Sequence, residues 1–112
     1  MINTILKKAR TLLEIEGWCQ GSEVCQQATR YGRGSWIPKT LHTMEEGKPT
    51  QYCLMGAVLA SCDNSDFETY NEVWDLFTEL LESENPITWN DKTTTTKGKV
   101  LALLAKAISQ AS

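Results

Sequence analysis

Apolar residues recur along this chain at the three- and four-residue spacing of helices in four separate stretches. Charged residues alternate with the apolar ones in three of these stretches, as they do in helices that pack one face on a core. Gly17 follows the first stretch and Pro86 follows the third, and both residues commonly mark the end of a helix. The pattern therefore predicts four helices, over about residues 3–16, 50–62, 65–84 and 95–110.

The second stretch differs from the others because no residue from Tyr52 to Cys62 carries a charge. A helix that is apolar on every side has to be surrounded by other elements, so we predict that it is the centre of the fold. Thr50 stands where its hydroxyl would cap the first turn. Helical spacing places small side chains together on one side, where they would let another backbone come close: Cys53, Gly56, Ala57 and Ala60.

Helical periodicity is absent from residues 17–49, where five glycines and Pro38 make a helix improbable. The two tryptophans and one tyrosine of this stretch argue for a packed loop, because disordered segments are poor in aromatic residues. The loop has room for a short β-hairpin through residues 22–31 or 35–41. The predicted fold class is mainly α, with one domain over residues 1–112 and about four helices around the central apolar one.

The length and composition fit a globular domain. A chain of 112 residues, 41% hydrophobic and 22% charged, can bury one core without help from disulfides or metals. No apolar run approaches the roughly 20 residues of a membrane helix, and Lys7 and Lys8 follow the apolar start instead of preceding it, so we predict neither a signal peptide nor a membrane span. The four cysteines show no paired His/Cys spacing, which predicts no metal, no cofactor and a reducing, cytoplasmic location.

The net charge of −3 hides an uneven distribution. Residues 63–84 contain eight acids and no lysine or arginine, whereas the rest of the chain carries +5. An acidic protein lacks the basic face that direct nucleic-acid binding requires. One segment, residues 30–34, does combine arginine, tyrosine and glycine as flexible RNA-binding segments do, yet with two arginines it is a weak signal.

Five of the acids stand in one line along the predicted third helix, because they are spaced by four, three, four and three residues: Glu68, Glu72, Asp75, Glu79 and Glu82. The apolar residues of this helix, among them Tyr70, Trp74 and Phe77, lie on its opposite face. Two interpretations of the acidic line stay open. It is either a solvated face that keeps a very apolar helix soluble, or a docking surface for a basic protein partner.

Three short elements occur in the order Gly17-Trp18-Cys19-Gln20-Gly21, Tyr52-Cys53-Leu54-Met55-Gly56-Ala57 and Trp89-Asn90-Asp91. Together they resemble an uncharacterised family of small bacterial and phage proteins, a domain of unknown function, over nearly the whole chain. Residues 31–47 follow no pattern of that family. The resemblance implies a cytoplasmic or phage accessory protein, and it brings no activity with it.

Cys53 is the strongest catalytic candidate, because the free amides and the dipole of a first helical turn stabilise a thiolate. A nucleophile also needs a base, and the one histidine, His42, would have to be oriented by Asp91 or Asn90. Such a set would make a hydrolase or transferase. Cys53 also belongs to the small-residue side of the central helix, where its size alone explains it. We therefore expect a structural cysteine and keep the thiol enzyme as the alternative.

Aromatic residues near helix boundaries offer a third interpretation, a small-ligand pocket lined by Trp18, Trp36, Tyr52, Trp89 and Asn90. Against it, Asn90 and Asp91 precede a helix, where such side chains more commonly satisfy backbone amides. Since no complete catalytic set is found, the sequence favours a small non-enzymatic interaction protein, carried by a phage or prophage and binding a host or phage protein. The sequence sets no oligomeric state.

Overall fold

The computed structural model describes residues 2–29, 34–62 and 67–111, and within these ranges it contains five helices and three strands. The strands are β1 (Val24–Gln27), β2 (Trp36–Lys39) and β3 (Thr50–Tyr52). The helices are α1 (Ile2–Ile15), α2 (Leu54–Ser61), α3 (Phe67–Leu80), α4 (Pro86–Asn90) and α5 (Lys97–Ala111). None of these described helices is long and apolar enough to cross a membrane.

A three-stranded antiparallel sheet corrects the predicted fold class, which is mixed α and β instead of mainly α. β1 lies in the middle and pairs with β2 on one side and β3 on the other. β1 and β2 form within the stretch predicted to be an irregular loop with at most a short hairpin. The sheet escapes the sequence pattern because each strand has only three or four residues, too few to show an alternation.

The predicted start of the central helix at Thr50 is also wrong, because this residue belongs to β3. The Thr50 hydroxyl donates to the Lys48 carbonyl at 2.9 Å instead of capping a helix. Cys53 caps α2 in its place, since its Sγ accepts a hydrogen bond from the Gly56 amide at 3.1 Å. The pairing of β3 with β1 thus outweighs the helical spacing of the apolar residues around it.

Gln26, in the central strand β1, is completely buried. Its Nε2 donates to the Glu45 carbonyl at 2.8 Å and to the Thr50 hydroxyl at 2.9 Å, and its Oε1 accepts from the Glu45 amide at 2.8 Å. Buried polar groups are tolerated when they are hydrogen-bonded in this way. The side chain holds the loop between β2 and β3 against the sheet. Because this polar residue is buried, the polar positions of β1 do not indicate which face of the strand is exposed to solvent.

α2 lies in the core, and six of its eight residues are buried. α1 packs against both α2 and α5, while α3 also contacts α2 and α5. Complete burial of a large aliphatic or aromatic side chain stabilises a fold by roughly 1.5–3 kcal/mol. Residues of this kind come from all four of these helices: Leu6, Leu13, Leu54, Val58, Phe77 and Leu104.

α3 ends at Leu80, where the sequence predicts a helix continuing to about residue 84. Glu82 and Ser83 have positive φ angles of 57° and 74°, a left-handed conformation that ends a helix and is unfavourable for residues other than glycine. The Ser83 amide closes the end by donating to the Thr78 carbonyl at 2.8 Å. At the other end of the helix, the predicted cap Ser65 lies outside the described residues.

α4 is a five-residue helix between the predicted third and fourth helices, where the sequence predicts none. Pro86 occupies its first turn, where a missing amide hydrogen costs nothing. Asn85 caps it, because its Oδ1 accepts from the amides of Ile87 at 2.8 Å and Thr88 at 3.1 Å. This local structure fixes the position of Asn90 at the end of the helix.

Candidate functional site

Asn90 is 1% exposed and uses every hydrogen-bonding group of its side chain. Its Oδ1 accepts from the Trp18 indole Nε1 at 2.7 Å and from the Leu54 amide at 3.0 Å. Its Nδ2 donates to the Cys19 carbonyl and to the Asp91 Oδ1, both at 3.1 Å. A carboxamide has two acceptor and two donor positions, so Asn90 has none left for a ligand.

The residues after Trp18 add further bonds to the end of α4. Gln20 Nε2 donates to the carbonyls of Asn90 and Lys92, both at 2.8 Å. The Gly21 amide donates to Asp91 Oδ1 at 2.9 Å. We call this arrangement the Asn90 clamp, and it consists of Trp18, Gln20, Gly21, Leu54, Asn90 and Asp91. It joins the turn after α1, the start of α2 and the end of α4.

Gly56 lies beside the clamp and allows β1 and α2 to approach closely. The Cys53 amide donates to the Glu23 carbonyl at 2.9 Å, and a Cβ added at Gly56 would stand 2.1 Å from that same carbonyl oxygen. Real Cβ atoms do not come so near to another atom. Gly56 therefore admits another backbone, as its small size predicts, and that backbone is the segment just before β1.

A pocket of about 210 Å³ lies against the clamp, where the segment just before β1 meets α2, α3 and α4. It is lined by carboxylate, hydroxyl, thiol and apolar side chains, among them Glu23, Cys53, Met55, Tyr70, Ile87 and Asp91. No lysine, arginine or histidine is part of this lining in the described residues. The pocket thus contains polar side chains, such as those of Glu23 and Tyr70, that are not members of the clamp.

Burial decides the chemistry of Cys53, which is 5% exposed. Loss of solvent raises the pKa of its thiol to about 11, and the amides of Gly56 and Met55, which lower the pKa, do not offset this effect. The nearby carboxylates of Asp91 and Glu23 raise the pKa further. Cys53 is accordingly a neutral thiol at pH 7, although it stands at the start of a helix.

The structure brings together two members of the suggested catalytic set. Cys53 and Asp91 line the same pocket, whereas His42 is exposed in the turn after β2 and does not line it. Asn90, the other residue suggested to orient a base, is committed to the clamp. Within the described residues, the thiol thus lacks the histidine that was suggested as its base.

Alkylation of Cys53 by iodoacetamide at pH 7 is expected to be slower than alkylation of free cysteine. A thiol with a pKa of about 11 is ionised in only about one molecule in ten thousand at this pH, and the thiolate is the nucleophile. The measurement is the rate of modification, located by peptide mass mapping so that Cys53 is distinguished from the other cysteines. Raising the pH toward 10 should accelerate it. Faster labelling than free cysteine at pH 7 would contradict this assignment.

Of the five residues suggested for an aromatic pocket, the structure brings three together. Trp18 and Tyr52 are adjacent in a short parallel bridge, and Trp18 binds Asn90 in the clamp. Trp89 is half-buried and packs against the core. Trp36 is 39% exposed on β2, at the edge of the sheet opposite β3. Trp18 and Asn90 thus bind each other instead of leaving polar groups free toward a ligand.

The five acids of α3 and its C-terminal turn are all exposed: Glu68, Glu72, Asp75, Glu79 and Glu82. The ion pairs of the described residues join Arg10 to Glu14, Lys39 and Lys48 to Glu45, and Lys92 to Glu84, and so leave these five out. The buried face of α3 is formed by Thr69, Val73 and Phe77. Phe67, the apolar first residue of α3, is 67% exposed.

Sequence reasoning gave no role to Glu23 or Tyr70, two polar residues that line the pocket. Glu23 precedes a strand and is not part of any sequence motif. Tyr70 has the spacing of an ordinary core-facing residue of α3, so the sequence marks neither residue as part of a site. The arginines of residues 30–33, considered above for RNA, lie outside the described residues. Only the side-by-side arrangement of distant elements reveals the pocket.

The fold and the clamp define a small mixed α/β protein in which one buried asparagine joins three distant parts of the chain. Residues 2–110 match the model of a family of unknown function, DUF6197, and the chain belongs to that family. No curated protein and no solved structure gives a significant match. The three elements on which the resemblance rests contain the residues of the clamp, so they are explained by the fold.

Proposed function

We propose that this protein is a small non-enzymatic interaction protein that binds a basic protein partner through the acidic face of α3. The observation that carries the proposal is the line of five exposed carboxylates, from Glu68 to Glu82, that no ion pair within the described residues neutralises. Residues 63–84 also contain no lysine or arginine that would interrupt the line. A basic surface of matching length on a partner complements this charge.

The arrangement has an energetic cost that a merely soluble helix would avoid. Like charges three or four residues apart on a helix repel each other by a few tenths of a kcal/mol per pair. A basic partner would remove this repulsion on binding, and the field of the stripe would speed the encounter. The association would weaken as salt rises, because exposed charges are screened over about 8 Å at physiological ionic strength.

The chemistry of Cys53 supports the non-enzymatic part of the proposal. Its thiol is protonated at neutral pH, and the residue suggested as its base, His42, is exposed and does not line the pocket. A hydrolase or transferase built on this cysteine would need both features reversed. We further propose that the protein is a phage or prophage accessory protein that acts in the host cytoplasm on a host or phage protein, a step supported by the resemblance given above.

Reversing the charge of Glu72, Asp75 and Glu79 to lysine is expected to abolish partner binding and leave the fold intact. The three side chains are exposed, so their replacement changes no core contact. Affinity purification of tagged protein from the producing cell, quantified by mass spectrometry at low and high salt, should identify a basic protein that salt releases. The triple variant should retain about a tenth or less of it.

The matched control reverses three exposed acids elsewhere, Glu14, Glu16 and Glu46, and produces the same change in net charge. Circular dichroism and thermal melts establish that both triple variants are folded. The control should keep the partner. Equal loss in both variants would mean that net charge alone matters, and undiminished binding by the α3 variant would leave the stripe a solvated face.

A further inference from the structure

The pocket against the Asn90 clamp has two carboxylates and no cation. Glu23 is half-buried, and its side chain makes no hydrogen bond or ion pair with any described residue. Asp91 is held in place through Oδ1, which accepts from Gly21 and Asn90, while its second oxygen has no partner in the described part of the chain. Glu23 lacks the cation or hydrogen-bond donor that normally compensates a carboxylate for lost water, whereas Asp91 is exposed and borders the pocket from the solvent side.

The two carboxylates act on the same small space. Both of them raise the pKa of the Cys53 thiol, and Glu23 also raises the pKa of Tyr70, although burial is the larger cause for each residue. Effects of this kind need charges close to the group concerned. The pocket therefore has a negative potential at the point where α2, α3 and α4 meet.

The remaining lining sets the size and shape of a ligand. Met55, Ile87 and the ring of Tyr70 give the pocket apolar surface beside its carboxylates. A volume of about 210 Å³ equals that of about seven waters, since each water occupies about 30 Å³ in the liquid. This space accommodates a molecule of roughly five to eight non-hydrogen atoms. The Tyr70 hydroxyl, which has no hydrogen-bond partner among the described residues, adds one more polar group.

From this combination of cavity, carboxylates and apolar lining we infer that the pocket binds a small primary alkylamine. The ammonium group lies between Glu23 and Asp91, and the alkyl chain lies against Ile87 and Tyr70. Charge-assisted hydrogen bonds to carboxylates are about twice as strong as neutral ones, and a cation near the face of a tyrosine ring gains further attraction. The site is separate from the acidic stripe of α3, whose residues do not line this pocket, so the inference does not depend on the proposed function.

The test is a titration with n-butylammonium chloride followed by amide NMR, with 1-butanol as the neutral analogue of equal size and sodium chloride as the ionic-strength control. Butylammonium should bind with millimolar affinity and perturb the amides of Gly21, Glu23 and Gly56. The alcohol should bind at least about tenfold more weakly, because it lacks the charge. Equal binding of amine and alcohol, or no perturbation at the pocket, would overturn the inference.

Two variants locate the site. Glu23→Gln removes the charge and keeps the carbonyl that accepts from Cys53, and it should weaken amine binding about tenfold. Glu79→Gln makes the same change on the exposed face of α3 and should leave amine binding unchanged. A thermal melt verifies that both variants are folded. If Glu79→Gln weakens binding as much as Glu23→Gln, the amine is only a counter-ion of an acidic protein and the pocket assignment fails.

A third ligand separates a free amine from a lysine of another protein. Nα-acetyl-lysine methylamide presents the same ammonium group on a larger body that exceeds the volume of the pocket. It should bind more weakly than butylammonium. Tighter binding of the lysine derivative would overturn the assignment of a small free amine.

Discussion

Replacing Gly56 with alanine is expected to lower the free energy of unfolding by about 2–4 kcal/mol, because a single added methyl group cannot be accommodated. The new Cβ would stand 2.1 Å from the Glu23 carbonyl oxygen, which is backbone and cannot rotate away. Either β1 and α2 separate, or the bond from the Cys53 amide to that carbonyl is lost. Urea denaturation followed by circular dichroism measures the change.

Gly98→Ala is the matched control, since Gly98 is also a glycine in a helix but has space around it. The nearest atom to its added Cβ is the Thr96 hydroxyl oxygen at 3.8 Å. Alanine favours helix over glycine by up to about 1 kcal/mol, so this variant should be as stable as the parent protein or more so. A Gly56→Ala protein with the same urea midpoint as Gly98→Ala would show that the close approach is not rigid.

Replacing Asn90 with alanine is expected to destabilise the protein by about 3–5 kcal/mol. The change leaves the Trp18 indole and the Leu54 amide, both donors in a mostly buried place, without an acceptor. Each unsatisfied buried group costs about 1–3 kcal/mol. Urea denaturation monitored by tryptophan fluorescence measures the loss, with Trp18 contributing one of four tryptophan signals.

Asn85→Ala provides the comparison, because it removes an asparagine from the same short helix. Asn85 is exposed and only caps the first turn of α4, a role worth about 1 kcal/mol. If Asn90→Ala were no more destabilising than Asn85→Ala, water would be replacing the bonds of the clamp. The difference between the two variants therefore measures what the tertiary bonds of Asn90 add to stability.

The helices could be predicted from the sequence wherever one face is buried and the other is exposed to solvent. α1, α3 and α5 show this contrast over fourteen or fifteen residues, long enough for the period to appear. The sheet could not be predicted, because β3 has three residues and the middle strand buries a glutamine. Helical spacing around Thr50 is genuine, yet the bonds from β1 decide the conformation there.

The site shows a different limit of sequence reasoning. Residues of the clamp stand out as short elements, but no local pattern states that Trp18 and Asn90 meet, because the contact is made across 72 positions of the chain. Glu23 and Tyr70 carry no signal at all, since one precedes a short strand and the other looks like part of a helix face. The helix start at Cys53 suggests a thiolate, and only the depth of burial reverses that expectation.

The clamp has a consequence for the order of events during protein synthesis. The Trp18 indole and the Leu54 amide find their acceptor only when Asn90 has left the ribosome, and α5, which packs against α1, follows later still. Contacts so distant along a chain form slowly, because a long loop must close before they add stability. The early part of the chain can therefore pair its strands while the ribosome is still working, but it becomes fixed in place only after Asn90 and α5 have been made.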